Sequence, residues 1–193
     1  MPFLPPPTSA AWSHHGVRSS FEVVHLRPAE DGYLFTGATT AVEDGQAWIV
    51  DYKIRIDLRW RTRSARVIGR LKNGSSTRSL EADGEGRWLI DDEPAPHLDG
   101  CLDVDLESSA LTNALPVHRL GLGIGAAAQA PAAYVRVLGL TVARLDQQYS
   151  RISDQGERQR YDYMAPAFDF TTRLVYDAAG LVLAYPGIAA RSH

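Results

Sequence analysis

Cysteine and lysine are the scarce residues of this 193-residue sequence. Cys101 is its single cysteine, and Lys53 and Lys72 are its two lysines among 20 basic residues. One cysteine cannot form an intrachain disulfide, which fits a reducing compartment and makes the cytoplasm the expected location. The preference for arginine is read as genomic base composition rather than function. No run approaches the roughly 20 apolar residues that a membrane-spanning helix needs. The start, Met1-Pro2-Phe3-Leu4-Pro5-Pro6-Pro7, lacks the basic residues and apolar core of a signal peptide. A net charge of −3 and a pI near 6.1 give no electrostatic reason to expect nucleic acid or an anionic membrane as partner. The glycines of Gly121-Leu122-Gly123-Ile124-Gly125 lack the spacing of a dinucleotide loop, and no βαβ unit surrounds them, so they read as a connection.

What the chain does have is hydrophobic residues (45%) and charged residues (22%) in ordinary globular proportion. At this length one core needs no disulfide or metal to hold it. Residues 1–11, rich in proline and small side chains, are expected as a loose N-terminal arm, and 12–193 as one domain. Beyond Ser19 the pattern is short β-type runs between turn signals such as Glu43-Asp44-Gly45 and Asn73-Gly74. From residue 48 to 60 one set of alternate positions reads Trp48, Val50, Tyr52, Ile54, Ile56, Leu58, Trp60. The set between them, after Ile49, reads Asp51, Lys53, Arg55, Asp57, Arg59. Successive strand residues face opposite ways, so this is a long strand with one apolar and one charged face. Long one-sided strands suit a curved sheet that wraps round an interior. The expected fold is therefore all-β, an antiparallel β-roll or incomplete barrel with an apolar interior and at most one short helix. That helix is placed around Ala126–Ala133, where alanine favours it and Pro131 interrupts it.

Further runs of this kind are Leu102–Leu106, Tyr134–Leu140, Gln147–Ser153, Tyr161–Met164, Phe168–Tyr176 and Leu181–Tyr185. Four stretches of the second half carry a family resemblance. They are Asp99-Gly100-Cys101-Leu102-Asp103-Val104-Asp105-Leu106, Thr112-Asn113-Ala114-Leu115-Pro116-Val117-His118-Arg119-Leu120, Gln148-Tyr149, and Gly180-Leu181-Val182 with Tyr185-Pro186-Gly187. Together they resemble a bacterial family named "putative glycolipid-binding". The N-terminal half adds Trp12, Glu22 and Asp57-Leu58-Arg59-Trp60-Arg61-Thr62, so the resemblance runs from about Trp12 to Gly187. It implies a β-roll or incomplete barrel, similar in outline to lipoprotein carriers, with an apolar cavity. The sequence departs from the family pattern at His118, where a second arginine is more usual, and at Ile188, where a tryptophan is expected.

The expected ligand is amphiphilic, a glycolipid or another acyl-bearing molecule. Its tail is assigned to Trp48, Tyr52, Ile54, Ile56 and Trp60. Its head is assigned to Arg119, Asn113, Tyr149 and the pair Asp103/Asp105. Those two carboxylates share one strand face. They either take hydrogen bonds from backbone amides and arginines, or hold a divalent cation, or act as acid and base in a hydrolase. A guanidinium at Arg119 lining an interior must be paired, with Asp103 or Asp105 as the natural partner, unless it holds an anionic group of the ligand. The arginines from Arg55 to Arg70 fall mostly on the outer face among aspartates, which reads as a solvated face rather than a nucleic-acid site. Adjacent His14 and His15 point opposite ways on extended chain, so no shared metal is assigned to them. Cys101 reads as a buried, inert thiol. No cofactor, metal centre or catalytic residue is assigned. The alternatives are a hydrolase using Asp103/Asp105 and an interaction module that forms a homodimer through open sheet edges.

Overall fold

A computed structural model describes residues 3–16 and 18–192. The first half is an antiparallel meander. After β1 (Ser9–His14) come β2 (Ser19–Ala29), β3 (Gly32–Glu43), β4 (Gln46–Asp57), β5 (Thr62–Leu71) and β6 (Gly74–Ala82), then the short β7 (Trp88–Ile90) and β8 (Glu93–Pro94). The middle contributes β9 (Asp103–Leu106), a 3-10 turn at Leu111–Asn113 and the helix α1 (Ala114–Leu120). The second half holds β10 (Ala127–Gln129), β11 (Ala132–Val135), β12 (Val142–Leu145), β13 (Gln148–Gln155), β14 (Arg158–Ala165), β15 (Phe170–Tyr176), β16 (Val182–Tyr185) and β17 (Ala189–Arg191).

Fourteen of these strands form one sheet in the order β10-β13-β14-β15-β16-β17-β1-β2-β3-β4-β5-β6-β7-β8. Its ends do not pair with each other among the described residues, so the roll stays open. The seam between the halves is β1, which pairs with β17 on one side and β2 on the other. Trp12 at that seam is fully buried, and its indole N–H donates to the Val182 carbonyl at 2.7 Å. A second sheet, β12-β11-β9, contains the one parallel pair among the described residues, β9 with β11.

The face pattern of β4 is the one its alternation predicts. Trp48, Val50, Tyr52, Ile54 and Ile56 are buried, while Ile49, Lys53 and Arg55 are exposed. The strand stops at Asp57, however, and not at Trp60. One Asp57 carboxylate oxygen accepts from the backbone N–H groups of Arg59 at 2.8 Å and Arg61 at 3.0 Å, which pulls the chain into a turn. Leu58 is consequently 73% exposed, and Trp60 takes a positive φ of 62°. The short helix is also displaced. Ala126–Ala133 carries β10 and part of β11, because pairing with β13, β12 and β9 outweighs alanine's helical preference. The helix instead runs from Ala114 to Leu120, tolerates Pro116 in its first turn, and is closed by left-handed Gly121. The segment expected as a loose arm is tied at Leu4, whose N–H donates to Ala178 at 2.8 Å, and enters β1 at Ser9. Met1 and Pro2 lie outside the described residues.

Candidate functional site

The concave side of the large sheet is filled by the chain's own middle segment. Every residue from Ser108 to Val117 is buried. That segment is bonded to both halves of the roll. Towards the meander, Thr39 donates to the Ser108 carbonyl at 2.9 Å. Glu22, fully buried on β2, accepts from the Tyr52 hydroxyl at 2.6 Å, from the Ala110 N–H at 2.8 Å and from the Ser109 hydroxyl. Towards the second half, Tyr149 donates to the Asn113 side-chain oxygen at 3.0 Å and Tyr176 to the Asn113 carbonyl at 3.1 Å. Burying so many polar groups is tolerable only because each finds a partner.

This packing decides where the expected site residues fall. Tyr52, Ile54 and Ile56 are interior residues beneath the threaded segment. Trp48 is buried beside an open trough at the end of the meander, with its indole N–H on Glu43 at 3.3 Å. Trp60 stacks flat on His118 at 3.4 Å between ring centroids. Burial at that stack holds the imidazole down at about 4. Asp103 is fully buried and takes a bidentate contact from Arg119, with Nε at 3.0 Å and Nη2 at 2.6 Å. Burial raises the Asp103 carboxyl, and Arg119 opposes that rise. Of the two aspartates offered as partners for Arg119, Asp103 is thus the one it binds. The pair closes the helix against β9 and leaves Arg119 committed.

The structure leaves space elsewhere, in a cavity of about 350 Å³ between the second half of the roll and the β9–β11 sheet. That volume is at the small end of ligand sites, roughly 300–1,000 Å³. One wall is aromatic. Tyr163, Phe170 and Tyr185 form a triangle with ring centroids 6.0 to 6.3 Å apart. Tyr134 and Phe168 face each other at 5.6 Å, and Phe168 is 47% exposed at the mouth. Burial pushes the Tyr134, Tyr163 and Tyr185 hydroxyls well above their ordinary range, so all three stay protonated.

The other wall is polar and carries His14, His15, Arg18, Asp105, Glu107 and Asn113. Asp105 accepts from Thr112 at 2.9 Å and Gln147 at 2.5 Å, yet burial lifts its carboxyl to about 6. Glu107 accepts from Arg18 at 3.1 Å and from the Val137 N–H at 2.7 Å. Two buried nitrogens of these residues, Arg18 Nη1 and His14 Nε2, lack a hydrogen-bond partner among the described residues. Glu22 stands 3.4 Å from His14 Nε2, an ion-pair distance without hydrogen-bond geometry.

Among the ten expected site residues, then, Asp105 and Asn113 line this cavity, and Tyr149 buttresses Asn113 from behind. The other seven lie outside it. Sequence reasoning missed His14, Arg18, Glu107 and the aromatic wall, because these come from five separated segments that only the topology assembles. A partial signal lies in the Tyr161/Tyr163 and Phe168/Phe170 alternations, whose default reading from sequence is core packing. Among the described residues no cluster of three or more metal-ligating side chains occurs, and no helix is long and apolar enough to cross a membrane.

The comparisons with known proteins agree with this architecture. No curated protein matches the chain. A crystal structure of a DUF1089 family protein from Pseudomonas aeruginosa is similar, with 31% sequence identity and a TM-score of 0.80. The alignment covers 98% of this chain and 95% of that one. The profile of a family described as "Putative glycolipid-binding" matches residues 9–191, from the start of β1 to the end of β17. The chain belongs to that family.

Proposed function

We propose that this protein binds an amphiphilic, glycolipid-like molecule in the cavity between the aromatic triangle and β9. The observation that carries the reading is the division of that cavity into an apolar and a polar wall. Tyr163, Phe170 and Tyr185 offer ring faces and edges to a tail or to the C–H face of a sugar. Opposite them, the carboxylates of Asp105 and Glu107 accept hydrogen bonds, and the nitrogen-bearing side chains of His14, His15 and Arg18 line the same wall. Sugar hydroxyls both donate and accept, so such a head group satisfies both kinds of partner at once. Asp105 and Asn113 are the contacts retained from the sequence reading. Trp48, Tyr52, Ile54, Ile56, Trp60, Asp103, Arg119 and Tyr149 serve in this account as the scaffold that fixes the polar wall.

The surrounding surface supports a small-molecule partner over nucleic acid. The outer arginines are largely neutralised, Arg55 by Asp31 at 2.8 Å and Arg70 by Asp51 at 2.7 Å. A buried, unpaired Cys101 is in keeping with the cytoplasm. Mass spectrometry of gently purified, undenatured protein tests the proposal. An adduct carried by the wild type and lost in Phe170→Asp supports it. An adduct retained equally by that variant, or no adduct after incubation with octyl glucoside, contradicts it.

A further inference from the structure

Residues directly opposite each other on paired strands share one face of a sheet, so the register of β2 to β6 fixes what the outer side of the meander presents. It brings Arg27, Lys53, Arg55, Arg66 and Arg70 onto that face, against the carboxylates of Asp51 and Glu81. The face is therefore positive although the whole chain carries a net charge of −3. Arg55 and Arg70 are committed to Asp31 and Asp51. Arg27, Lys53 and Arg66 are exposed and have no ion pair among the described residues. Lys53 and Arg66 stand directly opposite each other, about 5 Å apart at Cβ. Like charges so placed destabilise a sheet, and an anion bound between them relieves the repulsion.

Apolar side chains are exposed on the same face. Phe21, Val23, Val42 and Ile49 are 45%, 38%, 61% and 41% exposed, four of the nine large hydrophobics that reach solvent among the described residues. Phe21, Val42 and Ile49 line the open trough at the end of the meander, together with Arg70 and with Lys72 from the turn after β5. No carboxylate lines that trough. We propose that the outer face of β2 to β5 docks on an anionic lipid surface. Lys53, Arg66 and Lys72 meet the phosphates of the head groups, and Phe21, Val42 and Ile49 enter between them. The mixture of bases and apolar groups decides the partner. Nucleic acid would engage the bases and leave the apolar group in water, and a second copy seated here about a twofold axis would set this positive face against itself. None of these side chains lines the cavity. Docking complements the binding reading, since an amphiphile resides in a bilayer, but does not depend on it.

The full chain is mixed with vesicles of phosphatidylcholine and phosphatidylglycerol in a two-to-one ratio, or of phosphatidylcholine alone, and binding is read by co-sedimentation. Preference for the anionic vesicles is expected, weakening as salt is raised. Each base held at such a surface strengthens binding about fivefold, so Lys53→Gln/Arg66→Gln should weaken it about 25-fold. Phe21→Ser should weaken it in low and in high salt alike. Arg136→Gln/Arg158→Gln removes the same charge from exposed positions off the face and should bind as the wild type does. Equal binding to the two kinds of vesicle, or an equal loss in that control, overturns the docking face. Tighter binding to a short duplex DNA than to the anionic vesicles overturns it in favour of nucleic acid. An octyl glucoside adduct that persists in a wild type unable to bind vesicles removes the docking alone and leaves the cavity reading standing.

Discussion

Replacing Asp105 by asparagine removes a half-buried carboxyl while keeping its shape, and the consequence depends on pH with a definite sign. In the folded chain burial lifts this carboxyl from 3.8 to about 6. A raised acid contributes stability in its neutral form, fully present below the unfolded value and lost as pH rises through the folded one. The loss therefore falls between about pH 4 and pH 6, and a shift of about 2 units corresponds to about 2–3 kcal/mol. Asparagine has no proton to lose, so Asp105→Asn should gain that amount on the wild type between pH 4 and pH 7. Thr112 and Gln147 can still bond the amide, and any defect there is a constant offset. His118 works in the opposite direction, since burial holds its imidazole at about 4 and its contribution is lost as pH falls below its usual range. It is common to both proteins and cancels in the difference. Urea midpoints measured for both chains at several pH values give the answer, with an m-value on the order of 2 kcal/mol/M making the relative shift about 1 M. A difference between the two chains that stays flat from pH 4 to pH 7 would refute the burial argument.

The two faces of β4 should respond unequally: Ile56→Asp buries an unpaired carboxylate and should cost more than about 4 kcal/mol, whereas Arg55→Ala loses only an exposed pair with Asp31 and should leave the denaturant midpoint almost unchanged. Equal losses in denaturant midpoint would overturn the facing of that strand. Removing either member of the Asp103–Arg119 pair alone should cost about 3–5 kcal/mol, and the double variant Asp103→Asn/Arg119→Gln should be less destabilised than the sum of the singles. Additive losses in that cycle would show that the contact carries no coupling. Cys101 is fully buried, and burial pushes its thiol up to about 11, so a thiol reagent should label it only in denaturant. Rapid labelling of the folded chain at pH 7 would contradict that burial.

The sheet was legible where a single strand carried its own evidence. Alternation alone assigns Trp48 to Ile56 to opposite faces, because a one-residue slip would put Lys53 and Arg55 into the core. What alternation cannot register is a side chain bonding its own backbone, which is how Asp57 ends the strand three residues before Trp60. The helix was misplaced for a related reason. Ala126–Ala133 has the better local propensity, but 114–120 is held by hydrogen bonds that link Asn113 to Tyr149 of β13, His118 to Ala179 in the turn after β15, and Arg119 to Asp103 of β9. Asp103 and Asp105 look alike in sequence, and only the position of Arg119 separates a scaffold carboxylate from one facing the cavity. The aromatic wall depends on register between β14 and β15, which pairs Tyr163 with Thr172 and Ala165 with Phe170. No single segment of the chain specifies that arrangement.

The account turns on an amphiphile entering the cavity bounded by Phe170, Tyr163 and Tyr185, and a homologous series of alkyl glucosides tests this most directly. Affinity is measured by fluorescence quenching at concentrations below micelle formation, with hexyl, octyl, decyl and dodecyl chains. Each buried methylene contributes roughly 0.8 kcal/mol, so two carbons should tighten binding about tenfold while the chain still enters enclosed space. In a cavity of about 350 Å³ the gain should stop abruptly within the series. The wild type is predicted to show that rise and plateau, and Phe170→Ala to weaken the longer chains more than hexyl. Affinity that climbs evenly to dodecyl, unaffected by Phe170→Ala, would place the ligand on an exposed surface and contradict the enclosed site.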